Sequence, residues 1–182
     1  MGLHSLRKVL CVLIAGYLLM PAMAVASTAY ATITGQNQGD IQGSVTEAGK
    51  EGTIRVLGFG HDLHIPLDPL SGDPTGKRIH GPLRIIKPLD RATPKLYQAL
   101  VTGEQLTHVR IRFYRTGPAG SEEQHYTVLV EDAQITSITP AYVTADPDPV
   151  SDREVVSLVY RNITWTWELD GIEASDSWIA PK

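Results

Sequence analysis

Val109-Arg110-Ile111-Arg112-Phe113-Tyr114 is the run whose alternation decides the fold. On an extended chain Val109, Ile111 and Phe113 point one way and Arg110, Arg112 and Tyr114 the other, the period-two signature of a strand with one buried face. Tyr126, Val128 and Val130 repeat the pattern further on. Between the two runs lies Thr116-Gly117-Pro118-Ala119-Gly120-Ser121-Glu122, rich in turn formers, so together they predict a β-hairpin with a longer loop. Upstream, residues 30–34, 53–59, 61–67 and 83–86 read as strands, and 134–139 reads as another.

Residues 154–168 form a long strand with an internal contradiction. Val156, Leu158 and Tyr160 share one face, whereas Ile163, Trp165 and Trp167 share the opposite one. A strict period cannot satisfy both, so the spacing predicts a bulge near Arg161-Asn162 or a strand that passes from one sheet into another. Of these tryptophans, Trp165 and Trp167 are expected in the core, and Trp178 is expected to dock on the body or on a neighbouring subunit. One segment reads as helix. Thr93 supplies a capping hydroxyl ahead of Pro94, Leu96, Tyr97 and Leu100 form one apolar face, and Gly103 ends it. Many short strands, one short helix and frequent Gly/Pro turns indicate a mainly β sandwich or barrel.

The chain has 182 residues, 42% hydrophobic and 20% charged, with a formal charge of −4. That length suits one domain with its own core. An acidic balance excludes nucleic-acid binding by bulk attraction. Residues 1–26 combine Arg7 and Lys8 with an apolar run from Val9 to Met20 and the small-x-small sites at 22–24 and 24–26, the pattern of a secretory signal peptide or else of a mis-assigned start. A dozen apolar residues is short for stable membrane insertion, which takes about 20. Removal of the leader leaves residues 27–182 as the working domain, with 14 basic residues against 20 acidic ones, a formal charge of −6. It also takes away Cys11, the only cysteine.

The chemical motifs are weak. His61-Asp62-Leu63-His64 spaces two histidines three apart, with His80 nearby, but on a strand such positions face opposite ways. Gly72-Asp73-Pro74-Thr75-Gly76-Lys77-Arg78 lacks the spacing of a phosphate loop. Asn162-Ile163-Thr164 is a sequon placed inside a strand. Arg110 and Arg112 offer an anion or partner surface, or simply a solvated face. No catalytic, metal or cofactor residue is assigned. Two irregular stretches, 66–82 and the acidic 144–152, are long enough to serve in contacts.

The blocks Tyr30 to Gly39, Pro66 to Pro82, Asp90 to Glu104, Phe113-Tyr114-Arg115, Tyr160 to Trp165 and Asp176 to Pro181 resemble, in order and spacing, the haemolysin-coregulated protein (Hcp) family of type VI secretion. The resemblance implies a two-sheet β-barrel with one short helix packed at its side and an extended Pro/Gly-rich loop. It implies a structural tube subunit with no cofactor and no catalytic residues: homo-hexameric rings that stack, carry small effector proteins in the lumen and work with a spike and a sheath. On this reading Asp68, Pro69, Ser71, Gly72, Pro74, Gly76, Arg78 and His80 form the subunit or ring interface. Family members assemble in the cytoplasm before export, so the leader fits poorly. A start at Met23 would give 160 residues and cytoplasmic assembly, whereas cleavage would give a secreted or periplasmic chain. A stand-alone β-barrel binding module on the same scaffold is the alternative function.

Overall fold

The structure, a computed structural model, describes residues 27–143 and 151–179. The leader and most of the acidic 144–152 stretch lie outside the described residues. The elements in chain order are β1 (Thr28–Gly35), β2 (Gly39–Ile41), β3 (Ile54–Val56), β4 (Gly58–Gly60), β5 (Leu63–His64), β6 (Ile79–His80) and β7 (Leu83–Pro88). There follow α1 (Thr93–Thr102), β8 (Gln105–Thr116), β9 (Glu122–Val143), β10 (Ser151–Val159), β11 (Asn162–Trp167) and β12 (Ile172–Ser177). The deciding run is the middle of β8, and the predicted hairpin is β8–β9. Residues 134–139 extend β9 instead of forming a separate strand. The 53–59 and 61–67 stretches break into the shorter β3, β4 and β5.

Ten strands form one hydrogen-bonded sheet, ordered β2-β1-β8-β9-β10-β7-β4, with β3 on β1 and β11 joining β9 to β12. The path ends at β2 and β4 without a closing pair among the described residues, so where a two-sheet β-barrel was expected these ten strands form one continuous, open ladder. The reason is that β9 is 22 residues long and pairs with β11 along its first half and β10 along its second.

The contradiction in residues 154–168 has a physical resolution. The inward face changes parity in three neighbouring strands at the same level. In β8 it passes from Leu106 to Val109, in β9 from Val130 to Ala133, and from Tyr160 to Ile163 between β10 and β11, all seven-per-cent exposed or less. Leu106 faces Ala133 and Val109 faces Val130, so β8 and β9 keep register through the change. Val159 faces Gln134 and Asn162 faces Glu131, so the third strand keeps register too. One extra residue per strand therefore lets both sides of the line serve a single core, which includes residues from each. Asp132 sits on the line with φ +51°, a conformation that Asp tolerates better than most residues. Gln105 donates to its carboxylate at 2.9 Å, and Arg161 approaches at 3.6 Å. β1 does not change parity, and a register shift between Thr34 and Gly35 absorbs the extra residue of β8.

Helix α1 buries Leu96 and Ala99 and ends at Gly103 in the left-handed region (φ +65°) as expected. Thr93 is not the cap. Ala92 holds that place, and the Thr93 hydroxyl instead donates to Glu154 Oε1 at 2.8 Å. It is drawn there by a sealed ionic knot: Lys87 Nζ contacts Glu154 Oε1 and Asp90 Oδ1, each at 2.7 Å, with the Lys87 and Glu154 side chains fully buried. Lys87 and Glu154 are cross-strand partners of β7 and β10, so the knot joins sheet to helix.

Candidate functional site

Residues 61–82, the root and shaft of the expected interface, leave the main sheet as a separate arm. β5 and β6 pair antiparallel, with Leu63 opposite His80 and His64 opposite Ile79. Beyond them Leu67 bridges Pro74, Thr75 N–H donates to Pro66 O at 2.7 Å, and Asp68 N–H donates to Asp73 O at 2.8 Å. The Asp68 carboxylate accepts from the amides of Leu70 and Ser71, both at 2.8 Å, which closes the tip and holds that carboxyl below its ordinary range. Gly72 and Gly76 have φ of +77° and +82°, so a side chain at either turn would be strained. The arm thus satisfies its own backbone while burying little. Leu70 at the tip is 97% exposed, and Leu63, Ile65, Leu67 and Ile79 are exposed along its length.

The eight residues expected at the interface divide in two. Pro69, Ser71, Gly72, Pro74 and Gly76 are exposed and Asp68 half-buried, all on the outer arm. Arg78 is half-buried and His80 buried at the root. Arg78 donates through Nε and a terminal nitrogen to both carboxylate oxygens of Asp176 on β12, which pulls the Asp176 carboxyl below its ordinary range. His80 Nε2 lies 3.2 Å from the same carboxylate, and His80 Nδ1 lies 2.9 Å from the Tyr160 hydroxyl. His61 Nε2 reaches that hydroxyl from the other side at 2.5 Å. Trp178 stacks on His80 with ring centroids 5.6 Å apart, which is the docking on the body foreseen for it. Burial raises the Tyr160 phenol far above its ordinary value.

His61 and His64 have different partners: His61, between β4 and β5, reaches Tyr160, and His64 on β5 meets Asp62 at 2.8 Å. Among the described residues no three His, Cys, Asp or Glu groups converge to hold a metal. Asn162 lies in the ladder between β9 and β12. Arg110 and Arg112 line a cavity of about 360 Å³ on the polar sheet face, beside Thr127 and Thr164. Trp165 is packed against the core, whereas Trp167 lies at its margin, under Arg115. The motif search did not single out Tyr160 or Asp176, since neither is chemically conspicuous alone. The one signal for them is that the same two residues open blocks of the family resemblance.

Comparison with known proteins supplies the remaining findings. Residues 30–167 match the family model described as type VI secretion system effector, Hcp. A curated relative, the "Major exported protein" of Pseudomonas aeruginosa, is 42% identical over 170 residues, covering 86% of this chain and 98% of that protein. Among solved structures, the secreted protein Hcp3 of Pseudomonas aeruginosa superposes with a TM-score of 0.73 at 36% identity, over 85% of this chain and all of the other. A mutant of Hcp1 from E. coli EAEC 042 gives a TM-score of 0.76 at 34% identity, over 84% and 99% of the two chains.

Proposed function

This chain belongs to the Hcp family of type VI secretion proteins, and from that premise we propose that it is a structural tube subunit, not an enzyme, whose homo-hexameric rings stack through the arm. The observation that carries the reading is the arm itself. It is a backbone-satisfied projection that keeps Leu67 and Leu70 in water, a state stabilised when a partner covers them. Turns fixed by Pro69, Pro74, Gly72 and Gly76 lower the entropy cost of ordering such a contact. On this reading Asp68, Pro69, Ser71, Gly72, Pro74 and Gly76 meet the neighbouring ring or subunit, and Arg78 and His80 hold the arm at its working angle.

A closed ring needs two different surfaces related by a rotation that closes. The bent sheet provides two walls for such a ring, with small effectors in the lumen and a spike and sheath as further partners. In this proposal the barrel-like wrap is completed by the walls on either side of the parity line, without ladder closure. The protein is exported. Whether it passes through the periplasm is decided by the first residue of the secreted form: Val25 or Ser27 means leader cleavage, and Met23 or Ala24 means a later start and cytoplasmic assembly.

Deletion of residues 67–75, which spares the root, tests the assignment. Folded hexamers that no longer stack in electron micrographs are expected. Normal tubes from that deletion would sink the stacking role, and a strictly monomeric full-length chain at high concentration would favour a stand-alone binding module.

A further inference from the structure

The root of the arm holds more chemistry than anchoring requires. Its four polar groups come from four places: His61 after β4, His80 on β6, Tyr160 between β10 and β11, and Asp176 on β12. One phenol hydroxyl lies between two imidazoles, and it carries one hydrogen. The direction of every bond then follows by donor accounting.

Asp176, kept ionised by Arg78, only accepts, so His80 Nε2 carries a hydrogen. With His80 neutral, its Nδ1 accepts from Tyr160 O–H, and the Tyr160 oxygen accepts from His61 Nε2–H. A first added proton is tolerated. On His80 it simply reverses the chain, with His80 Nδ1–H donating to Tyr160 and the phenol hydrogen turning to His61 Nε2. A second proton is not tolerated. Both imidazoles then aim N–H at the Tyr160 oxygen, the phenol hydrogen has no acceptor, and two cations face each other with ring centroids 6.5 Å apart.

We propose that this His61–Tyr160–His80 chain is a pH-operated clasp on the arm: closed while it holds at most one added proton, and released when both imidazoles are charged. Release would break the arm's hydrogen bonds to Tyr160 and leave the Arg78–Asp176 pair as a remaining polar tie to β12. The charged groups around it are Asp62 beside His61, with Arg78 on the arm and Asp176 on β12 around His80. His61, half-buried against Trp165, takes the second only with difficulty, because burial and the neighbouring His80 both lower its pKa from the ordinary 6.5 and outweigh Asp62. The clasp regulates the arm to which the stacking role is assigned, so its significance for assembly rests on that reading, but its opening does not.

Hydrogen exchange of the full chain, read on peptides from residues 63–80 between pH 7.5 and 5.0 and corrected for the intrinsic pH dependence of exchange, tests the clasp. The wild type is expected to lose protection by about tenfold or more across that range. His61→Gln keeps a hydrogen-bonding partner for Tyr160 but takes no second proton, so its arm should change by less than about threefold. Urea unfolding at pH 7.5 checks that the variant is folded. If it is not, His61→Asn serves as the second non-titrating variant with the same expectation. Unchanged protection in the wild type, or loss of protection in the folded variant equal to that of the wild type, would overturn the clasp. Electron micrographs at both pH values separate the two ideas. An arm that opens while tubes persist leaves the clasp standing and removes the stacking role. An arm that stays shut while tubes come apart removes the clasp alone.

Discussion

Two polar networks lie in one protomer and behave oppositely. The Lys87–Glu154–Asp90 knot pins the start of the helix to the sheet through ion pairs, with the Lys87 and Glu154 side chains fully buried. The His61–Tyr160–His80–Asp176 network pins the arm to the sheet through two imidazoles that share one phenol hydroxyl. The first has no state but the paired one, since either partner alone would be a buried charge. The second can run its hydrogen bonds through Tyr160 in either direction. The lesson is that a fold can seal one joint permanently and leave another adjustable by the choice of ionisable group, with similar hydrogen-bond geometry in both.

The contrast can be broken at four points. Lys87→Met strands Glu154 in the core, and about 3–5 kcal/mol of stability should disappear in urea titrations. Lys87→Met with Glu154→Leu should recover part of it, because the fully buried carboxylate leaves with the lysine and only Asp90, at the edge of the knot, loses its partner. At the arm root, Tyr160→Phe removes the shared hydroxyl and leaves two imidazole nitrogens without partners, with an expected loss of about 1–3 kcal/mol by the same measurement. Acidification should act on the root more gently. His61 has a lowered folded pKa, so the unfolded chain binds more protons as pH falls below the ordinary 6.5; the stability is whole above that pH and declines below it. Asp176, also lowered, adds a further decline beginning near its ordinary 3.8. A Tm series from pH 8 to 5 that is flat in the wild type would contradict the first sign. Least affected is the outer arm. Leu70→Asp changes a side chain that touches little, so stability should move by no more than about 0.5 kcal/mol while stacking fails.

Much of the fold was legible because period-two patterning reports burial directly. The β8–β9 hairpin and the parity break near Arg161 follow from it, and helix α1 follows from Pro94, the apolar face of Leu96 and Leu100, and Gly103. Open ladder closure was not legible, since strand order depends on which edges meet, and nothing in the run 122–143 says that it serves two walls. The Thr93 cap failed for a specific reason: a buried Glu154 on a strand 61 residues away competes for the hydroxyl. The site was half legible. The arm stood out by its prolines and glycines. The contacts of its root did not, because His61, His80, Tyr160 and Asp176 meet only after four segments have folded together.

The shared parity line has a consequence for how such a chain can change length. Outer loops can gain or lose residues singly. The three strands that cross the line cannot. Deleting Asp132 by itself would turn either Val128 and Val130 or Ala133 and Ile135 out of the core, while β8 and β11 kept their old facing. An acceptable shortening would have to remove a residue from each strand at the same level in a single step. That requirement makes strand length at this line a collective property of the sheet, resistant to one-at-a-time editing even where the individual side chains tolerate substitution.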